Sequence, residues 1–152
     1  MVRKLFFVLS ILLTLTFLSC GGGPTSVSGP VEVSGVASMG APMTSATVTI
    51  KSLGNGASYS PGVTDASGSF SFSVSSTDYP SPYLIRVTSA VGGQTASQFS
   101  LIGTGEGRGL VVSPLSSAAL ALAANRTADQ AFSEGVAVSK ADFDSKVSIL
   151  FK

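Results

Sequence analysis

From Val31 onward, apolar and polar positions alternate with period two, the pattern of strands buried on one face. Val31 and Val33 alternate with Glu32 and Ser34, and Val48 and Ile50 with Thr47, Thr49 and Lys51. Phe70, Phe72 and Val74 alternate with Ser69, Ser71 and Ser73; Tyr83, Ile85 and Val87 alternate with Leu84, Arg86 and Thr88. Phe99 and Leu101 suggest a further strand, and Leu110 to Val112 another. Residues 57–64 read as a weak strand, which Pro61 confines to a sheet edge because proline has no N–H for a ladder. Gly40-Ala41-Pro42, Gly54-Asn55-Gly56, Asp65-Ala66-Ser67-Gly68, Tyr79-Pro80-Ser81-Pro82 and Gly92-Gly93 punctuate these runs as turns. The pattern predicts an antiparallel β-sandwich over residues 31–113, with Val48, Ile50, Phe70, Phe72, Ile85 and Val87 in its core.

The period changes after residue 113. Pro114 suits a first helical turn, and residues 116–125 are rich in Ala and Leu. Thr127 with Gln130, and Ser139 with Asp142, have capping-box spacing. Phe132 and Val136 share one helical face, and Phe143, Val147, Leu150 and Phe151 another. Residues 114–152 therefore read as two or three short helices less stably ordered than the sandwich, with an incomplete apolar surface, since short helices need tertiary partners.

The N-terminus has a different logic. Arg3 and Lys4 precede Leu5–Leu18, an apolar run interrupted only by Ser10, Thr14 and Thr16. It is short of the about 20 residues of a spanning helix. It ends in Phe17-Leu18-Ser19-Cys20, followed by Gly21-Gly22-Gly23-Pro24. This resembles the bacterial lipoprotein signal, in which the cysteine after a small residue is lipidated and becomes the mature N-terminus. The resemblance implies removal of residues 1–19, lipidation at Cys20, and export to a bacterial membrane held by the lipid anchor. Gly21 stands where Asp would signal inner-membrane retention, which favours the outer membrane in a diderm host. Residues 20–30 read as a flexible tether. Its ten residues after the cysteine reach about 15–20 Å.

Composition narrows the function classes. The chain has 152 residues, a net charge of +1 and 27 Ser and 12 Thr, so no basic field is present to hold nucleic acid. It has no His, no Trp and one Cys, which leaves no His-based acid–base catalysis, no His or multi-Cys zinc site and no intrachain disulfide. A serine nucleophile would need a base other than His, and no Ser stands in a spacing that supplies a partner set. The acids of the sandwich, Glu32, Asp65, Asp78 and Glu106, select no carboxylate pair. Gly103-Thr104-Gly105-Glu106-Gly107-Arg108-Gly109 lacks the Gly-Lys-Ser/Thr of a phosphate loop and reads as a mobile inter-strand loop. Asp65 to Gly68 has too few acidic ligands for a calcium loop and reads as a structural turn. The expectation is a protein that is not an enzyme, with no catalytic residue, no metal and no cofactor.

Three segments carry a family resemblance: Gly40-Ala41-Pro42-Met43-Thr44-Ser45-Ala46-Thr47-Val48-Thr49-Ile50, Thr64-Asp65-Ala66-Ser67-Gly68-Ser69-Phe70-Ser71-Phe72, and Val111-Val112-Ser113-Pro114-Leu115-Ser116. Together they make residues 33–115 resemble the carboxypeptidase regulatory-like domain of bacterial envelope lipoproteins. That resemblance implies a seven-stranded Ig/transthyretin-like sandwich followed by short C-terminal helices. Such lipoproteins often continue into a larger helical region, so the tail reads as truncated or as docked on a partner. The functional expectation is a structural or interaction module of the envelope. The alternative is a carbohydrate-binding module at the cell surface, because the fold class includes sugar binders that stack ligands on aromatic faces. Tyr59 and Tyr79, in or near turns, are the candidate ligand-binding residues. The expected partners are the membrane, through the anchor, and an envelope protein or polysaccharide.

Overall fold

The computed structural model describes residues 29–91 and 93–152. The signal-like segment, Cys20 and nearly all of the tether lie outside the described residues. Seven strands run in chain order: β1 (Val31–Ala37), β2 (Thr47–Ser52), β3 (Ser58–Val63), β4 (Ser69–Val74), β5 (Tyr83–Val91), β6 (Gln94–Ile102) and β7 (Leu110–Val112). Three helices follow: α1 (Pro114–Ala124), α2 (Ala128–Glu134) and α3 (Lys140–Leu150). The strands form a three-stranded sheet ordered β4-β1-β7 and a four-stranded sheet ordered β3-β2-β5-β6.

All pairings are antiparallel except one. β7 runs parallel to β1, with Gly35 opposite Leu110 and Ala37 opposite Val112, so the smaller sheet is mixed. A parallel neighbour needs a crossover rather than a hairpin, and after β4 has paired with β1 the chain lays down β5 and β6 in the larger sheet before β7 returns to the other side of β1. Gly35 permits that return. A side-chain carbon there would collide with the Leu110 carbonyl oxygen.

Val33, Val48, Ile50, Phe70, Val74 and Ile85 meet between the sheets, as the alternation requires. Phe72 departs from expectation. It is only partly buried, with its ring 6.0 Å from that of Phe70, because β4 is an edge strand and the sandwich opens beside it. Tyr83 lies fully inside the core, and its hydroxyl has no hydrogen-bond partner. Burial raises its pKa from 10.0, since the phenolate would lose hydration there. Stability should therefore hold below pH 10 and fall as pH rises from there through the raised folded value, where the unfolded chain ionises first. Tyr83→Phe should stabilise the fold by about 1 kcal/mol and flatten that alkaline limb, as urea titrations at several pH values would read.

The helices form a third layer, and here the sequence reading was incomplete. Leu84, Phe99 and Leu101 point away from the sandwich and build a second core with Leu120, Ala131, Phe132 and Phe143. One-sided alternation had placed Leu84 among the solvent-facing positions of β5, yet both faces of that strand are buried. The tail is thus largely a docked layer, with Phe132 and Phe143 buried and Val136 and Val147 packed against them, and only its end keeps apolar side chains without cover. Ser113 and Ser116 form the capping box that opens α1, Pro114 being its first residue. Thr127 and Gln130 form the expected box on α2. Ser139 caps α3, but Asp142 makes no reciprocal bond to the cap backbone. Val136 falls outside α2, which ends at left-handed Gly135. Leu150 and Phe151 remain exposed.

Candidate functional site

A cleft of about 910 Å³ opens where the 103–109 loop, β7 and α3 come together. Local rules position each wall. Gly107 sits against β1, where its carbonyl accepts from Ser34 N–H at 2.6 Å, and a side-chain carbon there would collide with the Glu32 carbonyl. Glu106 closes the loop on itself by accepting from the Gly103 N–H at 3.2 Å. Lys140, in the first turn of α3, reaches Asp144 one turn on at 2.5 Å and Glu106 at 3.6 Å. The loop read as mobile is therefore anchored to β1 and to a helix.

Lys140, Glu106 and Asp144 satisfy one another at this rim, while the exposed Arg108 also lines the cleft. Between them the lining is apolar: Leu101 and Phe143 belong to the second core, while Val111 is 55% and Phe151 74% exposed. Leu115, in the first turn of α1, and Val147 complete the wall. Pro30 and Val31 also line the cleft, so the chain enters the fold at its mouth. The arrangement suits an apolar ligand, since exposed clustered apolar side chains gain by losing water.

Tyr59 and Tyr79 do come together. Their ring centroids are 5.3 Å apart at an interplanar angle of 28°, and both rings are half-buried against the inter-sheet core. Each ring spends one face on the other, so the pair seals an end of the sandwich and presents no open two-ring platform. Around it, Asn55 donates to the Asp78 carbonyl at 2.8 Å, and Ser52 Oγ donates to the Pro80 carbonyl at 2.5 Å.

The Asp65 turn is built as a bracket. Its Oδ1 accepts from the N–H groups of Ser67 and Ser69, both at 2.8 Å, and from the Ser67 hydroxyl at 2.7 Å. Those donors, the Ser67 hydroxyl first, lower the carboxyl's pKa below 3.8. The stability it contributes is present above pH 3.8 and lost as pH falls through the lowered folded value. Asp65→Asn should flatten the acid limb of a stability–pH profile. An acid limb identical to that of the native chain would show that the bracket holds without the charge.

Among the described residues, no group of three or more His, Cys, Asp or Glu side chains could hold a metal ion. Nor is any helix there long and apolar enough to cross a membrane. Comparison with family models, curated proteins and solved structures finds no match. The cleft residues were not legible as a site in the sequence. Their one local signal is the pair Val111 and Leu115, apolar positions on either side of a strand-to-helix junction.

Proposed function

We propose that the chain is a lipid-anchored, non-catalytic envelope protein whose carboxypeptidase regulatory-like, Ig/transthyretin-like sandwich is an interaction module. Its cleft takes an apolar peptide segment of an envelope partner. The observation that carries this reading is the cleft itself, with apolar side chains in its walls, Lys140 already paired with Glu106 and Asp144, and Val111 and Phe151 left in water. The lipoprotein-like signal ending at Cys20 supports the anchor, and the tether would bring the cleft mouth within roughly 15–20 Å of the lipid. The two-sheet architecture and the Asp65–Phe72 turn support the sandwich type. The carbohydrate-binding reading draws no support from Tyr59 and Tyr79, whose faces are taken up by each other and by the core.

A benzophenone amino acid in place of Val111 in the full chain tests the cleft in cells. The expected result is a discrete adduct with one envelope protein, lost when Leu115→Glu is added to a chain that still folds. An adduct pattern no different from benzophenone at Thr47, on the far end of the sheet, would remove the cleft from the function. Cys20→Ser tests the anchor separately, through membrane partitioning and N-terminal processing.

A further inference from the structure

The sandwich has four sheet edges, and three of them are protected. β6 and β7 close on each other through a bridge between Phe99 and Ser113, and the first turn of α1 caps that seam: Ser116 Oγ donates to the Phe99 carbonyl, and Ser117 Oγ accepts from the Phe99 N–H and donates to the Gln98 side chain. β3 carries Pro61, Gly62 at φ 157° and a register shift against β2. These are the devices that keep an edge from pairing with another chain. β4 has none of them. It is six residues of alternating Ser and apolar side chains, with no proline, no charge and an unbroken register against β1.

Which backbone groups of β4 are free follows from its turn. Ser69 directs both its N–H and its C=O to Asp65, away from β1, while the Gly68 carbonyl accepts from Ala37 on β1. Alternation along a strand then turns the N–H and C=O of Ser71 and Ser73 outward with those of Ser69. Among the described residues no hydrogen bond reaches them across that edge. Phe72 lies between them, with its ring half-buried at the open side of the sandwich.

We propose that β4 is a dimerisation edge that pairs antiparallel with β4 of a second copy of this chain. The twofold axis passes through Phe72, placing Ser71 opposite Ser73 of the partner copy and joining the small sheets into one of six strands. The register is fixed by the donors. It satisfies all four outward groups of each strand in two hydrogen-bonded pairs and leaves Ser69 to its own Asp65. It also sets the two Phe72 rings in the close, non-hydrogen-bonded site, where cross-strand aromatic pairs stabilise a ladder. A single edge that is complementary to itself generates a closed, isologous dimer, not a fibre. β4 itself carries no charge, and the carboxylates that flank it are held within the chain, Asp65 by Ser67 and Ser69 and Glu32 by the Ser73 hydroxyl.

Sedimentation of the full chain in detergent, over a range of concentrations, tests this. The native chain is expected to dimerise. Ser71→Lys with Ser73→Lys puts like charges directly opposite and should weaken the dimer by about tenfold or more, while circular dichroism and melting temperature show a folded monomer. Ser71→Glu with Ser73→Lys puts opposite charges across each pair, with the lysine on the Glu32 side, and should restore the dimer. Should the lysine pair unfold the chain, Ser71→Pro removes only an outward N–H and is expected to give the folded monomer. A native chain that stays monomeric, a folded lysine variant that stays dimeric, or a Glu/Lys variant that fails to recover would each overturn the proposal.

Discussion

Phe132→Ala should cost about 3–5 kcal/mol, the range for emptying a buried aromatic site. The ring is 4% exposed and sits at the centre of the second core, 5.9 Å from the ring of Phe99. The Arg86 guanidinium lies 4.5 Å from its centroid, over its face, in cation–π contact. Three losses coincide at this position: apolar burial, the aromatic pair, and cover for Arg86, whose Nε is already buried without a partner. Collapse cannot relieve them, because α2 is only seven residues long and is held at its far end by Lys51, which donates to the Ser133 carbonyl at 2.6 Å. Urea denaturation should show the drop in midpoint. Amide exchange should rise first in α2 and α3, with the strands beneath them following only through global opening. A loss under about 1 kcal/mol would mean that the helices rest on the sheet without stabilising it.

That layer also marks where sequence reading stops. The strands were legible because one apolar face against water gives a period of two, and this holds for β1, β2 and β4. β5 and β6 break the rule. Both their faces are covered at one end, so Leu84 looks like a lapse in an alternation, and Phe99 and Leu101, which mark a further strand, face a second core and not the space between the sheets. Only the docking of α1 and α2 reveals them, and no local pattern encodes it. The inverse error befell Phe72. Its position in the period is right, but burial depends on whether a neighbouring strand lies beyond β4, and none does. The parallel β1–β7 pairing was invisible for a related reason, since it joins Gly35 to Leu110 across the whole intervening sheet. The cleft inherits that invisibility: its walls are drawn from β1, the 103–109 loop, β7, α1 and α3. Tyr59 and Tyr79 were legible as a pair of exposed-looking aromatics, yet their mutual stacking depends on the Ser52 and Asn55 bonds that fasten β2 and its turn to the 78–80 segment.

The Asp65–Gly68 turn, the most local of these features, supports the sharpest stability contrast in the chain. Gly68→Ala should cost about 2–4 kcal/mol, against about 1 kcal/mol for Gly40→Ala. Both glycines hold positive φ, 75° at Gly68 and 82° at Gly40, so both substitutions force an L residue into the left-handed region. What differs is the space. A side-chain carbon at Gly40 meets nothing, whereas at Gly68 it would stand 2.5 Å from the Ala37 carbonyl oxygen and 3.1 Å from the Met43 nitrogen. Those atoms are backbone and cannot step aside. Moving them would pull at the Ala37 N–H to Gly68 C=O bond of 2.8 Å and at the Met43 N–H to Ala37 C=O bond of 3.0 Å, where the end of β1 is tied to the start of β4. The same displacement would shift Ser69 off the Asp65 carboxylate. Thermal melts of the two variants side by side separate conformational strain from contact. Equal losses would show that the turn pays only for its dihedral angles, and that the close approach of β1 to the Asp65 bracket contributes nothing to holding β4 in place.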